Sequence, residues 1–280
     1  MNLPADDRGF ALGDGLFETV LALDGRLIRW GEHMARLRRG CAALDLPAPD
    51  LAVVLAAAAE ALAQAGLTRG RAAVRVSVTA GSGGRGLDRP MEPAPRVVAT
   101  ASLSPAPPAD APPVRLAVAA IRRNETSPAA RCKTLAYLDN VLARRHARAA
   151  GADDAVMLNL AGAPACATAA NLFWMREGRL FTPALACGVL DGIMRHAVLD
   201  AAAGLGIETV EAVADHSELA QAEAMFLSNS LIGVRPAVLV GAPAAPRHDM
   251  AERLAGAAWT LYEGGGQSVQ ATADDRRGRR

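Results

Sequence analysis

The chain has 280 residues, 51% of them apolar, and a formal net charge of +1. That length buries one large core or two modest ones, and so balanced a charge gives no electrostatic case for nucleic acid as a partner. No apolar run reaches transmembrane length, and Met1 to Phe10 holds charged residues where a signal peptide needs an apolar segment, so a cytoplasmic protein without membrane attachment is expected.

In chain order, Phe17 to Leu23 alternates as a strand, Asp24-Gly25 signals a hairpin, and Arg26 to Arg29 returns antiparallel. Helices are predicted from about Gly31 to Leu44 and from about Asp50 to Ala65, where Gly66 ends the second. Arg75 to Thr79 and Arg96 to Ser102 read as strands, which completes a small α/β domain over residues 1–103. Ser104 to Pro113 (SPAPPADAPP) is rich in proline, which cannot donate to a sheet, and is read as the linker. The second domain, 114–263, opens with a strand at Val114 to Ala120 and a helix from about Leu135 to Ala150. Strands follow at Ala155 to Leu158, Asn171 to Met175, Thr209 to Val213 and Ala224 to Leu227, with helices at Gly192 to Ala203 and Asp249 to Tyr262. Residues 264–280 read as a disordered tail by composition.

The four cysteines, Cys41, Cys132, Cys166 and Cys187, show neither CxxC pairing nor metal-ligand spacing with the five histidines, so no zinc site or disulfide framework is expected. Gly81 to Gly86 (GSGGRG) fits the dinucleotide fingerprint G-x-G-x-x-G. The three prolines in Leu87 to Pro95 cannot open the helix that such a fingerprint needs, so a Rossmann unit is rejected. A glycine-rich loop carrying Arg85 can instead approach an anionic substrate; a plain β-turn is the simpler reading.

Lysine is the rarest basic residue here. Of 30 Lys and Arg residues a single one, Lys133, is lysine. Where only a surface charge matters, arginine has replaced it; a primary amine, unlike a guanidinium, can lose its proton when buried and attack a carbonyl. An aldehyde cofactor held by such a lysine also needs a phosphate cradle, and the helix opened by Gly192-Ile193-Met194-Arg195 presents free N–H groups for one.

Six segments, in order and spacing, resemble the class-IV aminotransferases, the fold-type IV pyridoxal-phosphate enzymes. They are RGFALGDGLFET (Arg8 to Thr19), HMARL (His33 to Leu37), Lys133 with YLDNVLARRHARAA (Tyr137 to Ala150), AANLFW (Ala169 to Trp174), GVLDGIMR (Gly188 to Arg195) and NSLIGVRP (Asn229 to Pro236). Within that family GSGGRG, AANLFW and GIMR are most similar to the 4-amino-4-deoxychorismate lyases, with branched-chain and D-amino-acid aminotransferases as close cousins. The resemblance implies an α/β (α+β) fold with a small N-terminal lobe, a larger barrel-like C-terminal lobe and pyridoxal 5'-phosphate between them. It also implies a homodimer whose second subunit completes the pocket for a small amine or amino-acid substrate.

Carried over position by position, the resemblance makes Lys133 the Schiff-base lysine and proton carrier, and Arg36 a ligand of the cofactor phosphate. Ile193 and Met194 become its backbone donors, Ser230 its hydroxyl donor, and Leu190 the residue packing on the ring. Thr19, Arg85 and Asn229 fall where the family contacts substrate. Two departures follow. The family opens with a further strand before the RGF segment, where this chain has seven residues, so that sheet edge is expected to be missing or built differently. In GAPACATAAN (Gly162 to Asn171) the family's glutamate for the ring nitrogen is replaced by Cys166; Asp153 and Asp154, in a helix end entering a strand, are set aside as substitutes. A neutral thiol is a poor partner for a pyridinium. That favours elimination, with release of pyruvate to give 4-aminobenzoate, over transamination; a branched-chain or D-amino-acid aminotransferase and a cofactor-free homologue are the alternatives.

Overall fold

The structure is a computed structural model that describes residues 3–242 and 248–268. The chain divides into two compact units: one takes the chain up to Ala106, Cys132–Ala136 and the chain from Gly264, and the other takes Pro107–Arg131 and Tyr137–Glu263. The boundary falls inside the proline-rich stretch. Cys132–Ala136, expected in the second domain, is part of the first unit.

The first unit runs α1 (Arg8–Leu12), β1 (Gly15–Leu23), β2 (Arg26–Ile28), α2 (Trp30–Ala43), α3 (Leu51–Gln64), β3 (Arg71–Thr79) and β4 (Arg96–Leu103). The second holds β5 (Val114–Val118), α4 (Pro128–Arg131), α5 (Leu138–Ala149), β6 (Asp154–Leu158), β7 (Pro164–Ala167), β8 (Asn171–Arg176) and β9 (Arg179–Pro183). It continues with α6 (Ile193–Gly204), β10 (Thr209–Ala212), β11 (Ala224–Asn229), β12 (Gly233–Leu239) and α7 (Asp249–Glu263), after which β13 (Gly266–Ser268) returns to the first unit.

The first unit carries a five-stranded sheet in the order β13-β2-β1-β3-β4. Alternation along β1 sends Leu16, Val20 and Ala22 into a core shared with Met34, Leu37 and Cys41 of α2 and Val54, Ala58 and Leu62 of α3. Each large buried aliphatic side chain there contributes about 1.5–3 kcal/mol. Residues 266–268, expected in a disordered tail, pair antiparallel with β2 and occupy that sheet edge; the rest of the predicted tail, 269–280, lies outside the described residues. The second unit has one mixed eight-stranded sheet in the order β10-β9-β8-β11-β12-β5-β6-β7. Trp174, Phe181, Leu172 and Leu227 pack together in one of its cores, with the Trp174 and Phe181 rings stacked at 5.6 Å. Among the described residues no helix is long and apolar enough to cross a membrane.

Several elements escape the sequence pattern for local reasons. β7 is four small residues with no β-branched or aromatic side chain, and β12 carries Pro236, which ordinarily marks an edge or a break. The helix expected from Leu135 begins at Leu138, because Lys133 to Leu135 is drawn onto β1: Phe17 N–H donates to Lys133 O at 2.8 Å and Leu135 N–H donates to Gly15 O at 2.9 Å.

Candidate active site

That short pairing sets the reactive amine. β2 meets β1 only at Ala22 and Leu23, so the edge of β1 near Gly15 to Phe17 is open to the segment that carries Lys133. Lys133 is half-buried, with Nζ 4.4 Å from the centroid of the Phe17 ring. Burial, then the nearby guanidinium of Arg36, lowers its pKa to about 8; Glu18 opposes this and Arg75 adds to it. An amine so placed is available in its neutral, nucleophilic form near physiological pH.

Beneath the strand lies a buried charged cluster that the sequence motifs do not single out. Glu18, 1% exposed, points toward α2, where His33 and Arg36 share one helix face by their i, i+3 spacing. Arg36 donates to both Glu18 oxygens, Nε to Oε1 at 2.8 Å and Nη2 to Oε2 at 2.6 Å, while His33 Nδ1 lies 2.7 Å from Oε2. Burial alone would raise the Glu18 pKa; the Arg36 guanidinium outweighs it and holds the carboxyl at about 2. Burial also drives His33 down, against the pull of Glu18. A signal that could have found the cluster is Glu18 itself, a carboxylate on the inward side of an otherwise apolar strand, a position that demands a buried cation.

On the other side of β1, Thr19 is half-buried and in register with Arg75 of β3, which places both on one face of the sheet. The Arg75 guanidinium carbon lies 3.6 Å from the centroid of the Phe17 ring, and Arg75 is exposed. Arg75 is thus a second cation beside Lys133, missed because a charged residue on the outer face of a strand is ordinarily a solvated one. Arg85 is exposed in the glycine-rich loop, where its backbone and that of Asp88 exchange hydrogen bonds in a tight turn.

In the second unit the start of α6 has the features of a phosphate cradle. Gly192 caps the helix with no side-chain hydrogen bond, so the first-turn N–H groups of Ile193 and Met194, both buried, have no acceptor within the helix. A Cβ at Gly192 would lie 2.0 Å from Asn171 Oδ1. Asn171 Nδ2 in turn donates to Leu190 O at 2.9 Å, fixing the half-buried residue two positions before the cap. Ser230 is half-buried just after β11. Asn229, expected at the substrate, engages its carboxamide locally: Nδ2 donates to Ala169 O, and Oδ1 accepts from Leu231 N and Ile232 N.

Cys166 is buried in β7, opposite Met157. Burial pushes its thiol pKa up, against the field of Arg123 and with that of Asp154, so it is a neutral group. Arg123 Nε donates to Gly188 O at 2.9 Å and its Nη2 donates to Ala130 O. Asp154 accepts from Arg144 Nη2 and from Thr168 Oγ1, each at 2.5 Å, and Asp153 accepts from Arg115 N at 2.8 Å. Both carboxylates are thereby engaged with other partners. In the first unit a half-buried amine of lowered pKa suits an aldehyde, and in the second an uncapped helix start with a tightly packed glycine suits a phosphate, so each unit by itself fits a part of pyridoxal phosphate.

The family model for amino-transferase class IV matches residues 15–240. The chain is 30% identical over 244 residues to an aminodeoxychorismate lyase of Vibrio harveyi, covering 86% of this chain and 89% of that one. It is 32% identical over 238 residues to a putative branched-chain-amino-acid aminotransferase of Methanocaldococcus jannaschii, covering 82% and 80%. The crystal structure of 4-amino-4-deoxychorismate lyase from Pseudomonas aeruginosa is similar at a TM-score of 0.80 and 33% identity, over 91% of this chain and 93% of that one.

Proposed function

The chain belongs to the amino-transferase class IV family of pyridoxal-phosphate-dependent enzymes, and we propose that within it the protein is a lyase of the aminodeoxychorismate type, releasing pyruvate from its substrate to give 4-aminobenzoate. The observation that carries this reading is the neutral, buried thiol of Cys166, where the resemblance puts a carboxylate against the cofactor ring nitrogen.

When bound, the cofactor supplies an electron sink that makes loss of a proton from the substrate's amine-bearing carbon accessible. Lys133 Nζ would hold the cofactor aldehyde and, in its neutral form, would take up the proton from the substrate's amine-bearing carbon; its pKa of about 8 suits a base that must be neutral first and protonated afterwards. On the family resemblance, the N–H groups of Ile193 and Met194, the Ser230 hydroxyl and Arg36 would hold the phosphate, and Leu190 would lie against the ring. Arg36 enters this role already oriented by Glu18. Arg75, Thr19 and Arg85 orient the substrate carboxylates, two planar guanidiniums matching two anions. The neutral Cys166 thiol would offer the ring nitrogen no anionic partner, which would penalise transamination, whereas elimination would be driven by aromatisation of the product. The family resemblance implies a homodimer, which sedimentation would report.

The test is incubation with pyridoxal phosphate, borohydride reduction and peptide mapping, followed by product analysis with 4-amino-4-deoxychorismate. A pyridoxyl adduct on Lys133 with 4-aminobenzoate and pyruvate as products is expected. Accumulation of a keto acid with the cofactor left in its amine form would replace the lyase reading by the aminotransferase one, favoured by the similarity to the M. jannaschii protein.

A further inference from the structure

The glycine-rich loop is held by a clamp of two arginines on one carboxylate. Arg8, 5% exposed, donates Nε to Asp14 Oδ2 at 2.9 Å and turns the rest of its guanidinium to the loop backbone: Nη2 to Leu87 O at 2.9 Å, Nη1 to Asp88 O at 3.0 Å and to Gly86 O at 3.4 Å. Arg89, at the end of the loop, donates to both Asp14 oxygens at 2.6 and 3.0 Å and to the carbonyls of Leu44 and Asp45 at 2.6 and 3.1 Å. The Arg89 guanidinium, against burial and with help from Arg8, holds the Asp14 carboxyl below the ordinary range, so the clamp stays charged.

The loop's start is pinned as well, since Arg8 N donates to Gly81 O at 2.8 Å. Gly84 has φ +82°, and a Cβ there would meet Asp88 O at 2.1 Å and Arg8 Nη1 at 3.1 Å. Gly84, which falls at an x position of the G-x-G-x-x-G match, is therefore the glycine that lets this loop close over a guanidinium. Three carbonyls converge on one buried side chain, and only a planar fork reaches all of them together with Asp14.

We infer that Arg8 is a positioning residue for substrate recognition: with Asp14 and Arg89 it holds the Arg85 loop in one preformed conformation, so that Arg85 meets an anionic group of the substrate without first being ordered. This rests on the reading of Arg85 as a substrate anchor. A preformed loop avoids the entropy of ordering on binding, so its loss falls on KM and leaves kcat in place.

The experiment compares Arg8→Met, Arg8→Lys and the less buried Arg89→Leu with Arg85→Ala in the cofactor-loaded enzyme. Two readouts are taken: KM and kcat with 4-amino-4-deoxychorismate, and trypsin cleavage mapped by mass spectrometry. Arg89 precedes Pro90, so within the loop tryptic cutting reports the Arg85–Gly86 bond. Both Arg8 variants and Arg89→Leu are expected to raise KM at least tenfold with kcat within twofold, as Arg85→Ala does, and to speed cleavage after Arg85 at least tenfold. Arg8→Lys keeps the charge and loses the fork; wild-type KM and cleavage in that variant overturn the proposal, as does wild-type behaviour of Arg89→Leu. An Arg85→Ala enzyme with unchanged KM, beside Arg8 variants that are cut faster, shows that the clamp orders the loop while Arg85 binds nothing, and overturns the substrate role of both.

Discussion

Arg36 meets Glu18 in a two-pronged ion pair at 2.8 and 2.6 Å, with the carboxylate almost wholly buried. Such a pair contributes modest net stability when intact and is costly to break, because the surviving charge has lost its partner. Glu18→Gln should therefore destabilise the fold by about 3–5 kcal/mol, measured by urea unfolding at pH 7. The wild-type advantage should vanish on acidification: the folded pKa of about 2 lies below the ordinary 4.5, so the stabilisation is present above pH 4.5 and is lost as pH falls toward 2.

Lys133 gives the opposite sign. Its folded pKa is about 8 against an ordinary 10.5, so between those values the unfolded chain binds more protons and stability of the cofactor-free protein rises with pH. Lys133→Met removes the titration. Wild type should gain on the variant from pH 8 to 10.5, by up to roughly 1.4 kcal/mol per pH unit. Parallel unfolding curves of the two proteins across that window would show that the lysine is not desolvated in the fold.

Cys166→Glu tests the electronic reading. A carboxylate there would face the field of Arg123, which offsets part of its burial, and would give the ring nitrogen an anionic partner. Transamination, followed by formation of the amine form of the cofactor in single turnover, should rise roughly tenfold for each unit by which the ring nitrogen pKa increases. An unchanged rate with cofactor fully bound would remove Cys166 as the determinant.

Gly192→Ala probes the cradle. The added Cβ would meet Asn171 Oδ1 at 2.0 Å, so Asn171 must move and release Leu190 O. Overpacking of this kind costs about 1–3 kcal/mol. The variant should melt lower and lose bound pyridoxal phosphate on dialysis, seen as loss of its visible absorbance; retention equal to wild type would mean that the cap is not part of the phosphate site.

Much of the chemistry is legible in the sequence alone. A single lysine in an arginine-rich chain and a Gly-Ile-Met helix start are local signals, since charge type and the absence of a capping side chain are written in consecutive residues. So are most strands and helices with clear periodicity. β7 and β12 are not, because small residues and Pro236 enter a sheet only when neighbouring strands supply the hydrogen bonds. Long-range pairing decides the rest: Lys133 takes its place from the open edge of β1, far earlier in the chain. Glu18 finds its cations across a strand–helix interface, and Arg8 reaches the loop that carries Arg85. Composition and periodicity describe each segment's preference; which donor meets which acceptor is settled only when the sheet brings distant segments together.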